Sequence, residues 1–324
     1  VIVLIIGSLF LSSRVFAAWT QAKGHAYNQL TLSYYVNDHK WTTVELNNDY
    51  STKGINEDKI HRVRTSKFES LGVTYYGEYG IVDSLTIFTS IPWKKVSSDD
   101  VRQNSNATGI YGWGDIDLGL RYNLLRNLFG TGVLVSLQGA VKIPEAYEYG
   151  DPLLELSMGN GQYDATMLLQ LGRGLGKGYA WFNAGYKYRF ENNELYSYKP
   201  SDQIKVLFGG GYSLNSWLSV RGYVDYTRSV GNATVSEDLR TYAILVGKTR
   251  AVDQDNLLIR DTLGLEPTSL TVSGGLGFKI TPKVSTVLSY ARDLGGPDWK
   301  WARWLRAKDT GRGETFNVAL VYLY

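Results

Sequence analysis

Apolar and polar side chains alternate with a period of two residues along most of this chain. Segment 114–125 places four apolar side chains on one face, which are Ile116, Leu118, Leu120 and Tyr122. The residues between them are polar or glycine, and segments 179–190 and 266–280 repeat the pattern. Because successive side chains of a β-strand point to opposite faces, this alternation predicts strands with one apolar and one polar face.

The pattern predicts about twelve strands joined by links of alternating length. The strands lie near residues 26–36, 66–77, 84–92, 114–125, 131–143, 161–173, 178–190, 203–213, 216–228, 267–280, 283–292 and 314–324. Short turns are expected near 80–83, 126–130, 174–177, 215 and 281–282, and long polar links near 37–65, 93–113, 144–160, 191–202, 229–266 and 293–313. A soluble sandwich also alternates, but this succession of short turns and long loops is typical of bacterial outer-membrane barrels. We therefore expect an all-β fold, a single antiparallel transmembrane β-barrel with short periplasmic turns, long outer loops and both termini in the periplasm.

The two ends of the sequence predict export to the bacterial outer membrane. Residues 1–17 begin with an apolar run and end in Ala17, which predicts a signal peptide cut after Ala17 and a barrel formed by residues 18–324. The apolar run is too short for a transmembrane helix, which needs about 20 residues. The last strand carries an apolar and aromatic row on one face, formed by Phe316, Val318, Leu320, Tyr322 and Tyr324. This row resembles the terminal signal that the barrel-assembly machinery recognises, so that machinery is an expected partner during biogenesis.

Aromatic residues at the strand ends predict contacts with the membrane interfaces. The candidates are Tyr34, Tyr75, Trp93, Tyr122, Tyr179, Trp217 and Tyr290. Two helical segments are expected in the long links, 236–248 with Ser236 as its cap and 297–308 with three tryptophans among basic residues. They are interpreted as a lid, or as a belt that rests on lipopolysaccharide. Ordinary loop packing is the alternative, favoured for 236–248. Outer-membrane lipid and lipopolysaccharide are thus expected partners.

Composition limits the chemistry that this chain can perform. Its 324 residues include no cysteine and three histidines, His25, His39 and His61, so a thiolate nucleophile is excluded and a zinc site is not expected. The formal net charge is +3 without a long basic run, so nucleic acid is not an expected partner. The glycine-rich run 172–178 lacks the Lys-Ser/Thr ending of a phosphate loop and is interpreted as a tight turn. We expect no catalytic residue, metal or cofactor.

The polar faces of the strands predict the lining of the lumen. If the apolar faces contact lipid, ten charged residues point inwards as candidate pore-lining residues, which are Asp115, Asp117, Arg121, Lys142, Asp164, Lys187, Arg189, Lys205, Arg221 and Asp225. With Lys279, which has the same orientation, the set holds seven basic residues and four aspartates. A narrow pore with this excess of positive charge would concentrate anions. The alternative is that the charges pair and fill the lumen, because a twelve-stranded barrel is intermediate between packed and open ones.

Three short motifs resemble a known family. They are 112–122 (GWGDIDLGLRY), 141–144 (VKIP) and 159–164 (GNGQYD). Their order and spacing are similar to those of the outer-membrane family named after the meta-pathway of phenol degradation, and the resemblance extends loosely from about residue 25 to residue 324. It implies an outer-membrane transporter or channel for aromatic or other small hydrophobic molecules, and it implies no catalytic residues.

The sequence therefore predicts a passive outer-membrane channel or transporter for small molecules, including aromatic or anionic ones. One rival is a barrel enzyme that acts on lipid, for which His39 or His61 would have to act with a serine. The second rival is a structural sheath around an electron-transfer partner, since the chain has no haem-attachment motif of its own.

Overall fold

The computed structural model describes residues 18–46, 52–55, 59–100, 105–247, 257–294 and 306–324. Twelve antiparallel strands form its barrel: β1 (Ala26–Thr42), β2 (His61–Val82), β3 (Leu85–Asp100), β4 (Ser105–Trp113 and Ile116–Leu125), β5 (Val133–Ile143), β6 (Asp164–Leu175), β7 (Gly178–Arg189), β8 (Asp202–Ser213), β9 (Leu218–Val230), β10 (Thr268–Lys279), β11 (Val284–Leu294) and β12 (Thr310–Leu323). The two segments of β4 pair with β3 one after the other. The expected signal peptide, 1–17, and most of the expected helix at 297–308 lie outside the described residues.

The barrel is closed by its first and last strands. Each strand pairs with its neighbours in sequence, and β12 returns to pair with β1. In this seam Tyr27 lies opposite Leu323 and Tyr34 lies opposite Phe316. On its other side β1 pairs with β2. The predicted antiparallel barrel is confirmed, and all twelve predicted strands are present.

The outward-facing side chains are predominantly apolar. Along β4, Leu118, Leu120 and Tyr122 are exposed, whereas Arg121 between them is fully buried. The same alternation holds in β12, whose predicted row is exposed on the outer face. A barrel with an apolar outer face and polar residues inside is the arrangement that a lipid bilayer requires.

Aromatic residues at the strand ends follow the same rule with one exception. Six of the seven predicted interface residues are exposed, namely Tyr34, Tyr75, Trp93, Tyr122, Trp217 and Tyr290. The prediction for Tyr179 was wrong. Its ring meets that of Trp19 inside the barrel, with centroids 6.0 Å apart. The physical reason is strand geometry, because Tyr179 is two residues from the buried Trp181 and so faces the same side of β7.

The two ends of the barrel differ in their connections. At the short-turn end, tight turns follow β2, β4, β6, β8 and β10, and the backbone of Ala26 bonds that of Tyr324. At the loop end, longer connections follow most of the remaining strands. The long link predicted at 93–113 was wrong, because β3 and β4 stay paired from Trp93 and Trp113 to Asp100 and Ser105. These strand extensions are mostly polar, with scattered apolar residues such as the buried Val96, so they show no sustained apolar alternation by which they could be recognised.

One α-helix, α1 (Glu237–Leu245), lies in the connection between β9 and β10. Ser236 caps it as predicted, since its side chain accepts a hydrogen bond from the backbone N–H of Leu239. Leu239 and Ala243 are buried on one face, which confirms the predicted helix and its apolar side. No helix in the described part of the chain is long and apolar enough to cross a membrane.

Candidate functional site: the barrel interior

The interior nearest the short-turn end is filled by apolar side chains. We call this set the apolar interior cluster, and it consists of Tyr27, Tyr76, Phe88, Trp181, Leu207, Tyr223, Val287, Ala319 and Val321. The rings of Tyr27 and Tyr76 meet with centroids 6.1 Å apart, and those of Tyr76 and Phe88 with centroids 6.2 Å apart. Each of these residues lies an even number of positions from inward-facing polar residues of its strand, and it therefore points inwards although it is apolar. The interior is thus not a uniformly polar pore.

The segment before β1, residues 18–24, enters the barrel at the short-turn end. The carbonyl of Ala18 accepts a hydrogen bond from Ser136 at 2.5 Å, and the carbonyl of Trp19 accepts one from Nη1 of Arg121 at 3.0 Å. The side chain of Gln21 donates to Glu78 Oε2 at 2.6 Å. We call residues 18–24 the N-terminal segment. It lies across the lumen at this end and contacts several strands of the wall.

Arg121 and Glu78 are the centre of a buried polar network beside this segment. Nη1 of Arg121 lies 2.9 Å from Oε1 of Glu78, and both side chains are almost completely buried. Nε and Nη2 of Arg121 also donate to Oε1 of Gln138 at 3.1 and 3.0 Å. Tyr76 donates to Glu78 at 2.6 Å. Such a network is stable only if its charges are paired and hydrogen-bonded, as they are here.

Towards the loop end, charged side chains of alternating sign line the wall from β3 to β9. We call them the charged arc, which comprises Lys94, Asp115, Asp117, Lys142, Asp164, Lys187, Arg189, Lys205 and Asp225. Asp164 is its hub, with its carboxylate 3.2 Å from Lys142, 3.7 Å from Lys187 and 3.8 Å from Arg189. Lys142 also reaches Asp115 at 3.4 Å. Most basic groups of the arc are therefore paired with a carboxylate.

The structure divides the predicted pore-lining residues into separate groups. Eight of the ten belong to the charged arc. Arg121 instead contacts the N-terminal segment. Arg221 lies against β10, where a Cβ on Gly277 would come within 2.5 Å of its Nη2. Lys279 is exposed at the short-turn end. The basic residues therefore do not form one ring at a single level.

Two members of these networks were missed by sequence reasoning, Glu78 and Lys94. Both have the strand parity of inward residues, because Glu78 lies two positions from the buried Tyr76 and Lys94 two from Pro92. Cε of Lys94 lies 3.3 Å from a Cβ built on Gly114, next to Asp115. The strand ranges chosen from the sequence ended at 77 and 92, so both residues fell just outside them. Glu78 matters most, because it offsets the charge of Arg121.

A loop at the loop end folds onto the charged arc. The hydroxyl of Tyr147 donates to Oδ1 of Asp115 at 2.5 Å and accepts a hydrogen bond from the backbone of Gly161 at 2.9 Å. Burial, with the nearby Asp115 carboxylate, raises the pKa of Tyr147 well above its usual value. Burial also raises the pKa of Tyr149 to about 12, so both tyrosines remain protonated donors near neutral pH. A Cβ on Gly159 would collide with Asp115, which explains why glycine stands there.

Further loops pack into a small apolar core at the loop end, which we call the loop cap. Its buried members are Leu153, Tyr198, Ala233, Val235, Leu239, Ala243, Leu258, Leu263 and Leu265. Tyr242 of α1 bonds Asp151 and stacks on Tyr196, with ring centroids 4.8 Å apart. Asp309, just before β12, accepts hydrogen bonds from the backbone and hydroxyl of Thr43 at 2.9 Å, and Arg260 lies 3.9 Å from its carboxylate. The described loop segments that contribute these residues therefore pack against one another.

The three histidines lie apart from the charged arc. His25 contacts the carbonyl of Tyr324, with Nδ1 and O 3.1 Å apart. Nδ1 of His39 lies 2.6 Å from Asp38, and Nε2 of His61 lies 4.0 Å from Glu45. Among the described residues, no group of three or more histidine, aspartate or glutamate side chains could hold a metal ion.

The fold is similar to those of solved outer-membrane proteins. A crystal structure of an outer membrane channel from Pseudomonas putida F1 matches with a TM-score of 0.67 and 13% sequence identity, covering 97% of this chain and 100% of that chain. The transport unit of the autotransporter AIDA-I from Escherichia coli matches with a TM-score of 0.46 and 9% identity, covering 98% and 94% of the two chains. At 13% identity, the likeness to the Pseudomonas putida channel shows the fold alone. No family model matches the sequence, and no curated protein matches it.

Proposed function

We propose that this chain forms a channel for small molecules in the bacterial outer membrane, with the short-turn end in the periplasm. The observation that carries the proposal is the charged arc, which lies inside a barrel with an apolar outer face. Burying an ion costs several kcal/mol unless pairing offsets it. The apolar interior cluster fills the same barrel without charge. The charges at the loop end are mostly paired, and Asp115 and Lys187 stay partly exposed, so this lining can exchange its own partners for a charged solute.

In this proposal the ten predicted pore-lining residues act at two levels of the solute path. Asp115, Asp117, Lys142, Asp164, Lys187, Arg189, Lys205 and Asp225 line the entrance beneath the loop cap. Arg121 lines the exit beside the N-terminal segment, and Arg221 lines it on β9. Side chains of Asp115 and Lys187 remain partly exposed, which leaves them able to meet a solute. The N-terminal segment has to move for large solutes to pass, because it crosses the exit.

The proposed solutes include aromatic or anionic molecules. The motifs at 112–122, 141–144 and 159–164 support this class through their resemblance to the meta-pathway family. The interior offers suitable surfaces, since rings such as those of Trp181 and Tyr223 can pack on an aromatic solute. Lys187 and Arg189 can bind the carboxylate of a solute in place of their contact with Asp164.

Export and assembly belong to the same proposal. A signal peptide cut after Ala17 would bring the chain to the periplasm, and the β12 row would be read by the barrel-assembly machinery. Lipopolysaccharide would surround the loop end. The channel is passive in this proposal, which assigns no catalytic role to the chain.

The test is conductance of the purified protein in planar bilayers together with swelling of protein-containing vesicles. We expect ion conductance and uptake of benzoate, and benzamide serves as the neutral control of similar size. A protein that gives no conductance and no uptake of either solute would contradict the proposed channel. Release of fatty acid from the vesicle lipid, abolished by His39→Gln or His61→Gln, would instead identify an enzyme.

A further inference from the structure

The turn between β4 and β5 displays a phenylalanine at the short-turn end. Phe129 is 93% exposed and has φ +48°, in the left-handed region that side chains other than glycine rarely adopt. Leu124 and Leu125, which precede the turn, are about half exposed. An exposed aromatic ring held in an unfavourable backbone conformation is not explained by the packing of the barrel.

Hydrogen bonds fix this turn in place. The hydroxyl of Thr131 donates to the carbonyl of Leu128 at 2.6 Å, and the backbone N–H of Gly132 donates to Oδ1 of Asn127 at 2.7 Å. Gly130 has φ +74° with open space around it. The turn is therefore a defined structure that holds the ring away from the wall.

Two basic residues belong to the turn and to the neighbouring strand. Arg126 is exposed and donates to the carbonyl of Asp83 at 3.2 Å. Arg173 is exposed on the outer face of β6, and its strand position pairs with Val133 at the end of the turn. The carboxylate of Asp83 is engaged by the backbone of Lys23 at 2.9 Å. The turn that displays Phe129 is thus accompanied by two exposed arginines.

We propose that this turn, residues 126–132, is an anchor that inserts Phe129 into the phospholipid leaflet at the short-turn end. The turn continues the apolar outer face of β4, where Leu120, Tyr122 and Leu124 already contact lipid in a membrane-embedded barrel. Aromatic rings favour the membrane interface, and arginines beside them can reach phosphate groups. The inference rests on the barrel lying in a membrane and is independent of which solute it conducts.

The absence of cysteine allows a direct test. Phe129→Cys creates a single thiol for a fluorophore, and Lys177→Cys creates the matched control in the turn between β6 and β7. Full-length protein is placed in vesicles of phosphatidylethanolamine and phosphatidylglycerol. We expect the label at position 129 to be quenched several-fold more by a lipid-attached quencher than the label at 177, and several-fold less by aqueous iodide. Equal iodide quenching of the two labels would overturn the proposal.

A second variant tests the ring itself. Leu128→Cys keeps Phe129, and we expect its label to become several-fold more accessible to iodide when Phe129→Ser is added. Unchanged accessibility would overturn the anchor, and unchanged gel mobility before boiling confirms that each variant is folded. If position 129 is open to iodide in vesicles but shielded in isolated outer membranes, a protein partner occupies the turn and the lipid proposal fails. Conductance is measured on the same samples, so loss of the channel and loss of the anchor are told apart.

Discussion

Arg121 and Glu78 form an ion pair across neighbouring regions of the barrel wall, with Nη1 and Oε1 2.9 Å apart and almost no solvent contact. The pair also holds the N-terminal segment, because Arg121 donates to the carbonyl of Trp19 and Glu78 accepts from Gln21. A single pair therefore links the stability of the wall to the closure of the lumen.

Breaking this pair should destabilise the barrel. Glu78→Gln and Arg121→Met each leave one buried charge without its partner, and we expect each to lower the free energy of unfolding by about 3–5 kcal/mol. The double variant should lose less than the sum, since it removes both charges. Urea unfolding in lipid vesicles, followed by the gel mobility of unboiled samples, measures the three values. Additive losses would contradict a direct interaction.

Weakening the N-terminal segment should open the lumen. Trp19→Ala with Gln21→Ala removes the ring contact with Tyr179 and the hydrogen bond to Glu78. We expect higher single-channel conductance and faster vesicle swelling than in the wild type. Lys23→Ala is the control, because its contact with Asp83 is made by the backbone. Conductance unchanged in the double variant would show that the segment does not limit passage.

Charge reversal at the loop end should change ion selectivity. Arg189→Glu brings a second carboxylate towards Asp164, so the reversal potential should shift towards cations. Arg221→Glu should shift it less, because that residue lies outside the charged arc. The shifts should grow at low salt, where the Debye length is about 30 Å at 0.01 M. Arg126→Glu, on the exposed turn between β4 and β5, controls for surface charge. If Arg189→Glu leaves the reversal potential unchanged, Arg189 does not line the solute path.

Glycine at position 185 should be required for the pairing of β6 and β7. A Cβ there would lie 1.9 Å from the carbonyl oxygen of Met167. We expect Gly185→Ala to cost about 1–3 kcal/mol or to reduce assembly. Gly139→Ala is the matched control, since a Cβ at that position meets nothing within 4 Å. The two variants are compared by their yield of folded protein and by the midpoint of urea unfolding. Equal values would contradict a close approach of β6 and β7 at Gly185.

The bond between Tyr242 and Asp151 should stabilise the loop cap without affecting the barrel. Tyr242→Phe keeps the stacking on Tyr196 and removes the hydroxyl, so a loss of about 1 kcal/mol is expected. Proteolysis of the loops, compared with the boiling-dependent gel shift of the barrel, separates the two effects. A variant whose loops are cut no faster would show that the bond is dispensable.

The strands could be predicted because lipid imposes a strict rule on them. Every second residue from Leu118 to Tyr122 must be apolar, and the sequence displays that rule directly. Beyond Trp93 most side chains of the paired strands are polar, and the rule no longer distinguishes strand from loop. The predicted strands therefore match the structure within the apolar zone, and they end too early beyond it.

The interior was only partly predictable for a different reason. The alternation of side-chain direction along their strands places Trp181 and Leu207 inside the barrel, whereas their apolar character favours the outer face. The sequence alone does not decide between the two. The path of residues 18–24 into the lumen has no periodic signal at all. The charged arc was anticipated as a set of residues, whereas its pairing around Asp164 depends on contacts between β5, β6 and β7.

The seam between β1 and β12 has a consequence for how the protein reaches its folded state. Tyr27 pairs with Leu323, so the two halves of this contact are separated by nearly the whole chain. Until β12 arrives, any partly formed sheet has two open edges, which are prone to pair with other chains. Contacts between such distant residues also form slowly. A newly exported chain therefore remains prone to aggregation until β12 pairs with β1, and a shortened β12 should reduce the yield of closed barrel more than an equal deletion in a loop.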